Sequence, residues 1–112
     1  METQIQSLHF TARPSLQNFI FDKMDTLEKL YDRLEAAMVI LKLDKTQKKE
    51  NKKAEISLRM PGLHLFAKDK AETFEEAVAL AIDEIKRQLQ KHKDKLNNVQ
   101  PNGREVIETD IY

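Results

Sequence analysis

Five cations crowd the end of one helical segment of this 112-residue chain. At 100° per residue, Arg87, Lys91 and Lys95 fall within an arc of about 80°. Lys86 and Lys93 complete the five from the other flank of the segment's apolar stripe, about 100° or more round the helix from that arc. Such an array meets successive phosphates of a nucleic-acid strand, with arginine engaging two oxygens and the lysines acting as point charges. The plainer account of the same residues is a solvated helix face whose terminal cations complement the helix dipole. Composition leaves both accounts open.

A second basic block, Lys42, Lys45, Lys48, Lys49, Lys52 and Lys53, reads as a solvated connection within reach of a phosphate backbone. Arg59 and Lys68 alternate with apolar residues and extend a basic surface across a sheet, or else serve as edge charges that discourage aggregation. Phe66 shares that alternation; an exposed aromatic there stacks on a base, although packing in a core or at an edge is the commoner role.

Other chemistry finds little purchase. There is no cysteine, so neither a disulfide nor a thiolate metal site can form. His9, His64 and His92 are far apart in sequence, with no i, i+4 pair, and imply no metal site. Adjacent Glu75 and Glu76 diverge on a helix, which makes them a poor acid and base pair and a good complement to a helix N-terminus. With only two glycines, no phosphate-binding loop or nucleophile elbow appears. The expectation is a non-enzyme with no catalytic residue, no cofactor and no small-molecule substrate.

Net charge is zero, from 19 basic and 19 acidic residues, but the charge is segregated. Residues 42–53 sum to +4 and 86–96 to +4, against −2 for 1–41, −4 for 54–85 and −2 for 97–112. A phosphate backbone feels the local field, so the neutral total does not argue against a polyanion partner. No basic leader segment and no apolar run of about 18 residues is present, so a cytoplasmic protein without membrane association is expected.

The elements that must hold these residues follow from periodicity. Thr3 to Phe10 reads as a strand ending before Arg13-Pro14-Ser15. Leu16, Phe19, Ile20, Leu27, Leu30, Tyr31 and Leu34 recur at three and four, predicting a helix from about Ser15 to Glu35. The run 37–43 is a strand. Alternation in 56–60 and 63–68 around Pro61-Gly62 is a hairpin. Thr73 caps a second helix that carries Phe74, Val78, Ala81, Ile82, Ile85, Leu89 and Leu96 on one face. The order β-α-β-β-β-α predicts an α+β two-layer sandwich with both helices on one face of a four-stranded sheet. One domain, 1–96, is expected, followed by a mobile tail, 97–112. The sheet's other face is left open, which allows an interaction module that self-associates as a weak homodimer.

The residues also resemble a known family. The signature is His9-Phe10 before a proline-marked turn, Leu16, Phe19-Ile20, Lys23, Leu27, Leu30-Tyr31-Asp32-Arg33, and a hairpin through Met60-Pro61-Gly62. It closes on Arg87-Gln88-Leu89-Gln90-Lys91-His92-Lys93-Asp94-Lys95-Leu96. Over about residues 3–96 this is similar to the ribosome hibernation-promoting and ribosome-associated inhibitor family. The resemblance implies a fold like that of double-stranded-RNA-binding domains. It also implies binding to the 30S subunit and the 70S ribosome, against 16S rRNA where messenger and transfer RNA lie, so that occupancy blocks translation in starved or stationary cells. By position, Lys23, Lys86, Arg87, Lys91, Lys93 and Lys95 are the RNA-contacting cations it implies. Glu84 stands where the family often has lysine and Glu75 where many members have tyrosine. The chain resembles the family's short forms, which lack the second, ribosome-pairing domain.

Overall fold

Alternation along four strands produces one sheet with unequal faces. The computed structural model describes residues 1–97, with side chains through His92. Its elements are β1 (Glu2–Leu8), α1 (Pro14–Leu30), β2 (Ala36–Leu43), β3 (Lys52–Met60), β4 (Leu63–Ala71) and α2 (Phe74–Asn97). The sheet order is β1-β2-β3-β4. β1 is parallel to β2, and the other two pairs are antiparallel. A parallel pair requires a crossover, and α1 supplies it.

Ala37, Val39 and Leu41 of β2, Ala54, Ile56 and Leu58 of β3, and Leu65 and Ala67 of β4 are buried. Leu16, Ile20, Met24 and Leu27 of α1 and the stripe from Phe74 to Leu89 of α2 join them in one apolar cluster. The core therefore lies between the sheet and a layer of two helices, as the patterning predicts. Among the described residues no polar or charged residue is buried, so the core carries no desolvation cost of that kind. The opposite sheet face has no layer over it.

The first helix is shorter than its spacing suggests. It ends at Leu30, and Tyr31 is already extended at φ −134°, ψ 100° while its N–H still bonds the Leu27 carbonyl. Seventeen residues span about 25 Å, roughly the length of the strands it must recross. The chain then has to turn into β2, and Leu34 fills the core from the connection. β1 likewise stops at Leu8; His9 adopts a φ of 71°, which turns Phe10 inward to stack on Phe74 with ring centroids 4.4 Å apart. The hairpin turn needs Gly62 at φ 73°, a region that costs other residues conformational strain. The expected tail at 97–112 lies outside the described residues beyond Asn97. No helix among the described residues is long and apolar enough to cross a membrane.

Candidate nucleic-acid interface

Helix α2 separates its work by face. Thr73 Oγ1 accepts a hydrogen bond from the Glu76 N–H at 3.1 Å, and Glu75 and Glu76 occupy the first turn, so the helix starts where the sequence says it should. Ile82, Ile85 and Leu89 are buried against the sheet. Arg87 and Lys91 are exposed on the other side, and Lys86 is partly covered at the flank. Lys93 and Lys95 continue the helix backbone, but their side chains lie outside the described residues. Lys23 is exposed on α1, outside that helix's buried stripe, with its amine 5.5 Å from the Phe19 ring centroid. All the described members of the expected cation set thus belong to the helix layer.

Arg87 is not idle in the free protein. Its Nη2 donates to Glu84 Oε1 at 2.5 Å, one turn earlier. Gln88 Nε2 donates to Glu84 Oε2 at 3.4 Å and to the Phe66 carbonyl at 2.9 Å, which ties α2 to the edge strand β4. The hydrogen bond from Arg87, followed by that from Gln88, holds the Glu84 carboxyl below the usual range. The same bond raises Arg87 further, and the charges of Glu84, Asp83 and Asp69 add to it. Arg87 remains 69% exposed, so the pair is a weak surface contact that a phosphate can displace. The departure at Glu84 therefore has a physical meaning: it engages the arginine expected to meet RNA.

The uncovered sheet face carries charges that sequence spacing left scattered. Arg59 sits on it beside Glu35, Nε to Oε1 3.4 Å, and Lys68 projects from β4. Phe66 projects there too and is 48% exposed, so the commoner packing role does not hold for it. Residues 44–51 are closed by the Asp44 N–H to the Asn51 carbonyl at 2.8 Å. The Asp44 carboxylate accepts from Thr46 Oγ1 at 2.6 Å and the Thr46 N–H at 3.0 Å, and pairs with Lys53 Nζ at 3.3 Å. The two bonds from Thr46, more than the lysine, hold it down to about 2. Lys70 is a cation that spacing did not single out; cross-strand register puts it opposite Lys53, which stands opposite Lys42. Among the described residues no group of three or more His, Asp or Glu is arranged to hold a metal ion.

Known proteins share this fold. Residues 3–97 match the family described as sigma 54 modulation protein / S30EA ribosomal protein. The ribosome hibernation promoting factor of Acinetobacter guillouiae is 31% identical over 107 residues, covering 90% of this chain and 95% of its own length. That of Escherichia coli is 29% identical over 96 residues, covering 86% and 97%. Among solved structures, a ribosomal subunit interface protein from Coxiella burnetii superposes with a TM-score of 0.76 at 20% identity, over 85% of this chain and 100% of that one. The N-terminal domain of Thermus thermophilus Protein Y gives 0.71 at 19% identity, over 82% and 99%. At such identities the two structures speak for the fold, a mixed four-stranded sheet under two helices, and the match in sequence speaks for descent. Running from the first strand to the last turn of α2, that match makes this chain a member of the sigma 54 modulation protein / S30EA ribosomal protein family.

Proposed function

We propose that the protein binds the small ribosomal subunit through its helix layer and keeps inactive ribosomes from translating. The observation that carries this reading is the division of α2, which buries Ile85 and Leu89 and turns Arg87 and Lys91 to solvent, in a chain whose relatives are ribosome hibernation promoting factors. Lys86, Arg87, Lys91, Lys93 and Lys95, with Lys23 from α1, contact 16S rRNA in the channel that messenger and transfer RNA occupy. No bond need be made or broken: a domain seated in that channel excludes both ligands by volume, and its lysines and arginine replace the counterions of the phosphates they meet. Glu84 modulates the contact by competing with phosphate for Arg87. Residues 1–96 form the binding domain in this reading, and the site of action is the cytoplasm.

The test is competition on isolated 30S subunits. Increasing protein should displace labelled messenger and initiator transfer RNA to completion, with an apparent affinity that falls as either ligand is raised. Ternary complexes that keep both RNAs bound while the protein is also bound would refute channel occupancy.

A further inference from the structure

Three lysines stand side by side on the open sheet face. Lys42 of β2 is in register with Lys53 of β3, which is in register with Lys70 of β4, so like charges face each other twice across strands about 4.8 Å apart. Directly opposed like charges destabilise a sheet. Asp44 answers Lys53 alone; among the described residues Lys42 and Lys70 have no ion pair. Alternation asks only for polar residues here, and glutamine or threonine would satisfy the fold without repulsion. Lysines that keep edge strands from aggregating explain Lys70 on the outer strand, but β2 and β3 are inner strands, where Lys42 and Lys53 protect no edge. The row meets the conditions for binding an anion.

Along β4 the same face presents Phe66, Lys68 and Lys70 at alternate positions, all exposed, about 7 Å apart, with Glu55 of β3 in register opposite Lys68 and no acid in register opposite Lys70. That is the order in which an extended nucleotide strand presents a base and then phosphates, and an exposed phenylalanine beside cations is the platform that single strands use. A duplex backbone would leave Phe66 without a stacking partner. We propose that the open sheet face is a second RNA-binding surface, taking a single strand along β4 with phosphates on Lys42, Lys53, Lys68 and Lys70 and a base stacked on Phe66.

This surface is separate from the helix cations. Those lie on the opposite side of the sandwich and toward its other end, because α2 runs back along β4: Phe74 follows shortly after Ala71, and Gln88 reaches Phe66. Lys91 is therefore beyond Phe66, while Lys70 is near the helix start. The protein then bridges two RNA segments, one on each face. The surfaces share no residue, so each can fail alone.

The test measures anisotropy of a labelled single-stranded RNA of about 12 nucleotides across a salt series. The variants are Lys42→Glu with Lys70→Glu, which spares the Lys53–Asp44 pair; the milder Lys42→Gln with Lys70→Gln, which guards against misfolding; and Phe66→Ala. Both double variants should lower the log-log salt slope by about 1.4, and Phe66→Ala should weaken binding by about 5- to 150-fold. The same losses should appear in the background of Arg87→Glu, Lys91→Glu and Lys95→Glu. If folded sheet variants bind like wild type while the helix reversal removes all RNA binding, the second surface does not exist and the helix reading stands. If the sheet variants lose RNA and the helix reversal still binds ribosomes normally, the helix reading falls and this one holds. Sedimentation of the protein alone should give a monomer; a dimer abolished by Phe66→Ala would overturn the proposal in favour of self-association.

Discussion

On α2 Arg87, Lys91 and Lys95 sit four residues apart along one element; on the open sheet face Lys42, Lys53 and Lys70 sit in register on three. The helix face is the cheaper arrangement. Arg87 and Lys91 point into solvent, and Arg87 already has a carboxylate at i−3. The sheet row opposes like charges and has one carboxylate among three amines. A helix disperses charge by its own geometry, whereas a sheet concentrates it by pairing. An accidental basic helix face is therefore easy to produce, and an accidental basic row across inner strands is not.

The comparison can be broken first on α2 itself. Leu89 is 2% exposed, so Leu89→Ala should destabilise the fold by about 2–5 kcal/mol in denaturant unfolding. Truncation of Arg87 to alanine should leave the unfolding midpoint unchanged. If Arg87→Ala unfolds the protein as readily as Leu89→Ala, the division of labour on the helix is wrong. Salt supplies the next effect. Binding to the 30S subunit through the five cations of α2 alone predicts a log-log slope of about −3.5 to −4.5; a slope near zero would indicate an apolar, sheet-mediated contact instead.

Smaller effects sharpen the picture. Glu84→Ala frees Arg87 and should tighten ribosome binding by about 1.5- to 5-fold, seen in equilibrium sedimentation, without altering the melting temperature. On the sheet side, Asp44 has its folded pKa depressed from 3.8 to about 2. A depressed carboxyl contributes stability that is fully present above its unfolded value and is lost as pH falls through the folded one. Wild type should therefore lose stability between pH 3.8 and about 2 in a way that Asp44→Asn does not, and melting curves over that range read the difference.

Most of the helix layer was legible from sequence because its signals are local. The apolar spacing of α2 and its Thr73 cap need no knowledge of the rest of the chain. The same logic carried α1 too far, since Tyr31 and Leu34 keep the helical spacing while Leu34 is buried from a connection. Phe66 is exposed because its strand parity points it away from the only face the helices cover. The alternation contains that parity, but a general preference for burying aromatics obscures it. The lysine row is a long-range property, although one signal for it is in the chain. A two-residue turn at Pro61-Gly62 pairs Met60 with Leu63, and counting outward from there brings Lys53 to Lys70. The Glu84–Arg87 pair is visible as an i, i+3 spacing, but sequence shows it only as a departure from the family pattern. The side chains of Lys93 and Lys95 lie outside the described residues.

The most direct test of the helix-layer account is co-sedimentation of the protein with 30S subunits and 70S ribosomes across a salt series, with wild type beside the Arg87→Glu, Lys91→Glu, Lys95→Glu variant. Salt-sensitive binding by wild type, lost in a variant whose circular dichroism is unchanged, is the predicted result. Undiminished binding by the folded variant would contradict it and reduce the basic helix to a solvated face.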